Sequence, residues 1–300
     1  MRINTVITLI ILFISVGVMA QTQEPDSTQQ YRIETIDGNE YIGLIVEQTN
    51  DLLVLKTERL GTITLRKADI KKMSVINLTQ LKNGEYWFEN PQSTRYFWQP
   101  NAYGLKKGEG YYQNVWILFN QVSIGITDNV SIGAGIVPLF LFAGASSPVW
   151  LTPKVSIPIK RDKVNVSAGA LMGTILGEEN ANFGIAYSTV TFGTRDKNLS
   201  IGGGYGYAGG DWADSPTFTL SAMIRVGKRG YFLTENYYIG SAEEDLMLFF
   251  IGGRRMIKNS GIDFGILIPT DTDGYLVAIP WLGVTFPLGQ SQEASKRTNN

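Results

Sequence analysis

The sequence predicts an all-β chain: a transmembrane antiparallel β-barrel of about twelve strands, preceded by a small periplasmic β module. Three observations predict it. From Thr94 onward, stretches of alternating hydrophobicity are separated by tight polar turns and looser loops in alternation. One face of each stretch is apolar, while the other carries serine, threonine or glycine where a soluble sandwich would need bulk. Charge also divides between the two sets of connections, basic at the tight turns and acidic at the loose ones.

The N-terminus begins with Arg2, a continuous apolar run over residues 5–16 and the small-residue site Val18-Met19-Ala20, the pattern of a secretory signal peptide over residues 1–20. A composition of 44% hydrophobic residues over 300 positions allows a large buried or lipid-covered surface. Cysteine and histidine are absent, which excludes disulfides, thiolate metal sites and a lipidated cysteine. The formal net charge of −1 and the export signal give no reason to expect a nucleic-acid partner.

Residues 21–30 are a polar, disordered lead. Residues 31–76 read as five short strands with turn chemistry at Asp37-Gly38, Asn50-Asp51 and Leu60-Gly61. The Asp37-Gly38 turn, Gly43 and Leu60-Gly61-Thr62 resemble an Sm-like or SH3-like small barrel. Cytoplasmic Sm-like relatives bind RNA, but this segment carries seven Lys+Arg against seven Asp+Glu behind an export signal. Its expected role is therefore a periplasmic interaction or spacer module with a protein partner. Residues 77–93, with Asn83-Gly84 and Asn90-Pro91, form the linker.

The barrel is expected over residues 94–289, followed by a tail at 290–300. Its strands fall near 94–103, 111–126, 130–142, 149–159, 164–176, 183–194, 199–208, 217–226, 231–240, 246–257, 262–269 and 275–288. In GITDNVSIGAGI, residues 125–136, only Ser131, Gly133 and Gly135 stand between Val130, Ile132, Ala134 and Ile136. In the same way Leu199 and Ile201 alternate with Ser200 and Gly202, and Phe218 and Leu220 with Thr219 and Ser221. A lipid-facing surface must be apolar and every backbone group must pair between strands, so the small face is the lumen and its glycines keep it open. Tyrosine and tryptophan near strand ends, such as Tyr111, Trp150 and Tyr207, suit interfacial girdles.

On these features residues 94–289 resemble Gram-negative outer-membrane β-barrel proteins. The resemblance implies outer-membrane localisation, contact with lipid and lipopolysaccharide, and delivery by the barrel assembly machinery. The final stretch, residues 280–286, is similar to the aromatic-ended signal that machinery reads, although residues 290–300 follow it.

The tight-turn end carries Lys160, Arg161, Lys163, Arg195, Lys197, Lys228, Arg229, Arg254, Arg255 and Lys258 against Asp128, Asp162 and Asp196. The loose end is assigned Glu109 and the outer-rim acids Glu178, Glu179, Asp211, Asp214, Glu243, Glu244, Asp245, Asp271 and Asp273 against Lys106 and Lys107. Short turns face the periplasm and longer loops the medium. The rim carboxylates suit sharing divalent cations with lipopolysaccharide phosphates.

Inward-facing charges are expected at Arg95, Lys154, Arg225, Glu235 and Asp263, either pairing to hold the barrel's shape or selecting solute. The GxGxxG match at Gly204, Gly206 and Gly209 leads into a loop instead of a helix, and Asp271-Thr272-Asp273-Gly274 lacks the remaining ligands of a calcium loop. No cofactor or metal is expected. Without histidine, and with no positioned Ser–Lys or Asp–Asp set, the chain is not expected to be an enzyme. Two functions remain: a narrow channel for ions or small solutes with an acidic outer mouth, or a closed, non-conducting barrel anchoring the N-terminal module. The short outer loops argue against a folded-in plug.

Overall fold

The computed structural model describes residues 29–76, 81–82, 85–240, 245–257, 259–270 and 277–289. The expected signal peptide, residues 21–28 of the lead, residues 77–80 and 83–84 of the linker and the tail at 290–300 lie outside the described residues. The chain divides into two compact units, residues 1–78 and 79–300.

In the first unit, strands β1 (Gln30–Thr35), β2 (Glu40–Gln48), β3 (Leu52–Thr57), β4 (Gly61–Arg66) and β5 (Ile70–Val75) form one antiparallel sheet in the order β4-β3-β2-β1-β5. A 3-10 turn, Lys67–Asp69, redirects the chain between β4 and β5. Gly38, at φ +88°, closes the β1–β2 hairpin. There the Thr35 hydroxyl and Asn39 hold the Asp37 carboxyl below the usual carboxylate range. An irregularity between Ile45 and Glu47 bends β2. The concave side collects Tyr31, Ile33, Ile45, Leu53 and Leu55 into a small core.

The second unit is a closed antiparallel β-barrel of twelve strands. They are β6 (Gly110–Val115), β7 (Phe119–Gly125), β8 (Val130–Ile136), β9 (Ser147–Leu151 continuing as Lys154–Lys160), β10 (Val164–Leu176), β11 (Asn182–Gly193), β12 (Lys197–Ala208), β13 (Thr217–Arg225), β14 (Gly230–Ile239), β15 (Leu246–Ile257), β16 (Ser260–Pro269) and β17 (Ile279–Leu288). Thr152-Pro153 interrupts β9, and β17 closes the wall by pairing with β6 from Gly283↔Val115 to Leu288↔Gly110. A short helix, α1 (Pro138–Phe142), follows β8. No helix among the described residues is long and apolar enough to cross a membrane.

Alternation fixes which side of the wall each residue takes. Val155, Ile157, Leu199, Ile201, Phe218, Leu220, Phe249 and Ile251 are exposed, whereas Ser156, Ser200, Ser221, Thr191 and Thr285 are buried inside. Replacing Ile201 with arginine is therefore expected to cost about 2–4 kcal/mol near the bilayer midplane and to reduce the fast-migrating band on unheated gels. An unchanged folded fraction would mean that this face does not meet lipid.

The strand count of twelve agrees with the sequence expectation through two changes that cancel. Residues 94–103 are not a wall strand; they lie inside the barrel. Residues 111–126 are not one strand but two, β6 and β7, joined by a turn in which Trp116 and Ile117 take φ of +53° and +66°. The chain ends of the wall move as a result. Lys106, Lys107 and Glu109 lie at the tight-turn end, where the backbone N–H of Lys107 donates to Asp128 and that of Gly108 to the Gly125 carbonyl.

The glycines of β8 do not keep the lumen open. Gly135 lies directly under the Trp150 ring, so that any Cβ would overlap it, and Gly133 is crowded by Thr152, Gln121 and Ser123. Small residues there make room for large ones from the next strand.

Candidate functional site

The candidate site is the lumen, filled by residues 88–105. Asn90 and Asn101 turn the backbone with their side chains, Oδ1 accepting from the N–H of Gln92 at 3.0 Å and of Tyr103 at 2.9 Å. Between them the chain doubles back: Arg95 bridges Pro100, Tyr96 N–H donates to the Gln99 carbonyl, and Asn101 N–H to the Thr94 carbonyl, each at 3.0 Å for the two bonds. This narrow hairpin, the plug, has few internal bonds. Its remaining buried backbone groups must be satisfied by the wall.

Glu235 on β14 is fully buried and holds the plug's tip. Its Oε2 accepts three consecutive backbone N–H groups, from Phe97, Trp98 and Gln99, at 2.8, 2.9 and 3.0 Å. Tyr237 donates its hydroxyl to Oε1 at 2.6 Å. A carboxylate set into a nest of amides is a strong, charge-assisted arrangement.

Arg254 on β15 is the second clamp. It pairs in a fork with Asp263 directly opposite on β16, Nε to Oδ1 at 2.6 Å and Nη2 to Oδ2 at 2.9 Å. Its remaining donors reach the plug carbonyls of Gln92 at 2.8 Å and Tyr96 at 2.7 Å. Lys154 Nζ donates to the carbonyls of Asn101 and Tyr103 at 3.1 and 2.6 Å. Arg195 donates to Gly104 O at 2.7 Å and Ser93 Oγ at 3.0 Å, and Arg225 to Phe88 O at 2.7 Å. Arg225 also pairs with Asp196, which accepts from Tyr231 as well.

Between the polar clamps lies an apolar core shared by plug and wall. Phe88, Tyr96 and Phe97 pack with Val115, Met223, Leu233, Phe250, Met256 and Trp281. Toward the loose end Trp98 meets Phe119 and Trp281, and Trp281 meets Trp116 at 4.9 Å between ring centres. The lumen is thus packed much like a soluble protein interior, which corrects the expectation that no segment folds into it.

Of the sequence-predicted lumen charges, Lys154, Arg225, Glu235 and Asp263 point inward from the wall, whereas Arg95 sits on the plug and donates to Gln113 Oε1 at 3.1 Å. Arg254, counted from sequence among the turn-end charges, is the deepest cation. Its signal was present: Arg254 and Arg255 are adjacent in a strand, so one of them faces in, and the antiparallel pairing of β15 with β16 sets Arg254 against Asp263. Among the rim acids, Glu178, Glu179, Asp211 and Asp214 are exposed at the loose end. Asp245 is there too, accepting from the Tyr238 hydroxyl at 2.7 Å. Glu243, Glu244, Asp271 and Asp273 lie outside the described residues. Among the described residues no group of three or more acidic side chains is arranged to hold a metal ion.

Fold and lumen together define a transmembrane antiparallel β-barrel stoppered by its own N-terminal flank. No family model and no curated protein matches the chain. Two solved structures are similar in fold: outer-membrane expressed OmpT of Vibrio cholerae, with 11% identity and a TM-score of 0.32 over 89% of this chain and 99% of that one, and the in-vitro folded form of OmpT, an outer membrane protein of the same organism, with 11% identity and a TM-score of 0.31 over 90% of this chain and 100% of that one.

The expectation that the chain is not an enzyme is withdrawn beside these OmpT neighbours. Absence of histidine removes histidine-dependent chemistry alone; it leaves hydroxyl–lysine and paired-carboxylate arrangements open. The likeness itself, at this level, assigns no activity to the chain.

Proposed function

We propose that the barrel is closed and non-conducting, and that it anchors the N-terminal β module at the outer membrane. The observation that carries this reading is the grip of Glu235 on three successive amides of the plug tip, deep in the lumen. A conducting pathway would have to break that grip and part the aromatic core. In planar bilayers the purified protein is expected to give no unitary current steps, and steady conductance from the native chain would overturn the proposal in favour of a narrow channel with an acidic mouth.

The tight-turn end, through which the chain leaves the lumen at Phe88, faces the periplasm in this reading, and residues 1–20 direct export. The meander of five strands, with β5 returning to β1 after a 3-10 turn, supports the SH3-like reading of residues 31–76 as a site for a periplasmic protein. Lipid, lipopolysaccharide bound through divalent cations at the rim acids, and the barrel assembly machinery are the remaining partners. An epitope inserted at Ala213 is expected to be reached by antibody on whole cells and one at Asp196 only after permeabilisation. The reverse labelling would invert the orientation.

A further inference from the structure

Not every cation in the lumen has a counter-charge. Arg254 has Asp263 and Arg225 has Asp196. Arg95 and Lys154 are bonded to no carboxylate among the described residues, although both are more than nine-tenths buried. Both line one cavity of about 20 Å³, together with the hydroxyl-bearing Ser123, Ser131, Thr152 and Tyr187. Arg95, one of the lining residues, has its Nε buried without a hydrogen-bond partner. Lys154 gives two donors to plug carbonyls, which leaves one of the three that an ammonium carries. Arg195 adds a third positive charge within electrostatic range of Lys154.

A buried charge without a partner is costly, and two neighbouring like charges more so. Water could satisfy the free donors but would not neutralise them. The accessible space of about 20 Å³ is little more than one water needs, which favours a compact monatomic anion over sulfate or phosphate. We infer that this cavity binds a single monatomic anion of the halide class, held between Arg95 Nε and Lys154 Nζ and ringed by hydroxyl donors. The anion would be a structural counter-ion, tying plug residue Arg95 to wall residue Lys154 independently of whether the barrel conducts.

The test uses bromide. Native protein dialysed into gluconate and crystallised with sodium bromide is expected to show an anomalous peak in the cavity, within hydrogen-bond reach of both cations. In solution, the unfolding midpoint is expected to rise with each tenfold increase in bromide at constant ionic strength. Arg95→Gln combined with Lys154→Met should abolish that dependence. Ordered water without anomalous signal, or a native midpoint indifferent to bromide, would overturn the inference; the native crystal decides it even if the double variant fails to fold.

Discussion

Replacing Arg254 with alanine is expected to destabilise the barrel by about 3–5 kcal/mol, the usual consequence of leaving one member of a buried ion pair alone. The residue's place explains the size of the effect. Asp263 would lose both bonds of its fork in an apolar setting, and the carbonyls of Gln92 and Tyr96 would lose their donors at the same time. The measurement is the temperature at which the compact gel band converts to the extended one, supported by urea unfolding followed through tryptophan fluorescence. Combining Arg254→Met with Asp263→Leu should recover much of the wall's stability, because no uncompensated charge remains. The plug would still lack its anchoring donors and should become accessible to protease. If the single alanine variant unfolds like the native protein, the pair is not a structural clamp.

The second large effect concerns Glu235. Its alanine variant strands three buried amides, each of which had a charge-assisted bond worth on the order of 1.5–3 kcal/mol. Such bonds are not additive, and the plug has an escape: by leaving the lumen it can return the amides to water. Glu235→Ala is therefore expected to turn a silent protein into one that shows unitary currents in planar bilayers, while the wall still forms. Glu235→Gln keeps an acceptor oxygen without the charge and should give rare, brief openings. A silent, fully folded alanine variant would show that the apolar core around Phe97 holds the plug unaided.

Much of the wall was legible because β10 to β17 are long and alternate cleanly, with turns marked by Asp, Asn, Gly and Lys. What was missed follows from the same physics. Tyr96, Phe97 and Trp98 fill a lumen with the residue types that also build a strand, so composition could not separate plug from wall. Pro100 gave no usable warning, since Pro148, Pro158, Pro280 and Pro287 all lie at paired positions of the wall. The β6–β7 turn carried no turn chemistry at all. Trp116-Ile117-Leu118 lacks Gly, Asn, Asp and Pro, and it is held by tertiary contacts: the Trp116 indole meets Trp281 edge to face and donates to the Pro280 carbonyl at 2.7 Å. Without such support a left-handed conformation at a β-branched residue is costly. The charge division was partly misread with it, and moving Lys106 and Lys107 to the tight-turn end makes the two ends more unlike than the sequence reading had them.

The wall is also uneven in height. β6, β7 and β8 have six, seven and seven residues, against thirteen in β10 and twelve in β11. A strand needs roughly 9–11 residues to cross the hydrocarbon layer at the usual tilt. Lipid beside β6–β8 must therefore thin, at a cost of fractions of a kcal/mol per ångström of mismatch. The helix α1 offsets part of this deficit, carrying the exposed side chains of Leu139, Phe140, Leu141 and Phe142 beyond the end of β8. The bilayer around the protein is therefore expected to be wedge-shaped, thicker along β10 to β12 than along β6 and β7.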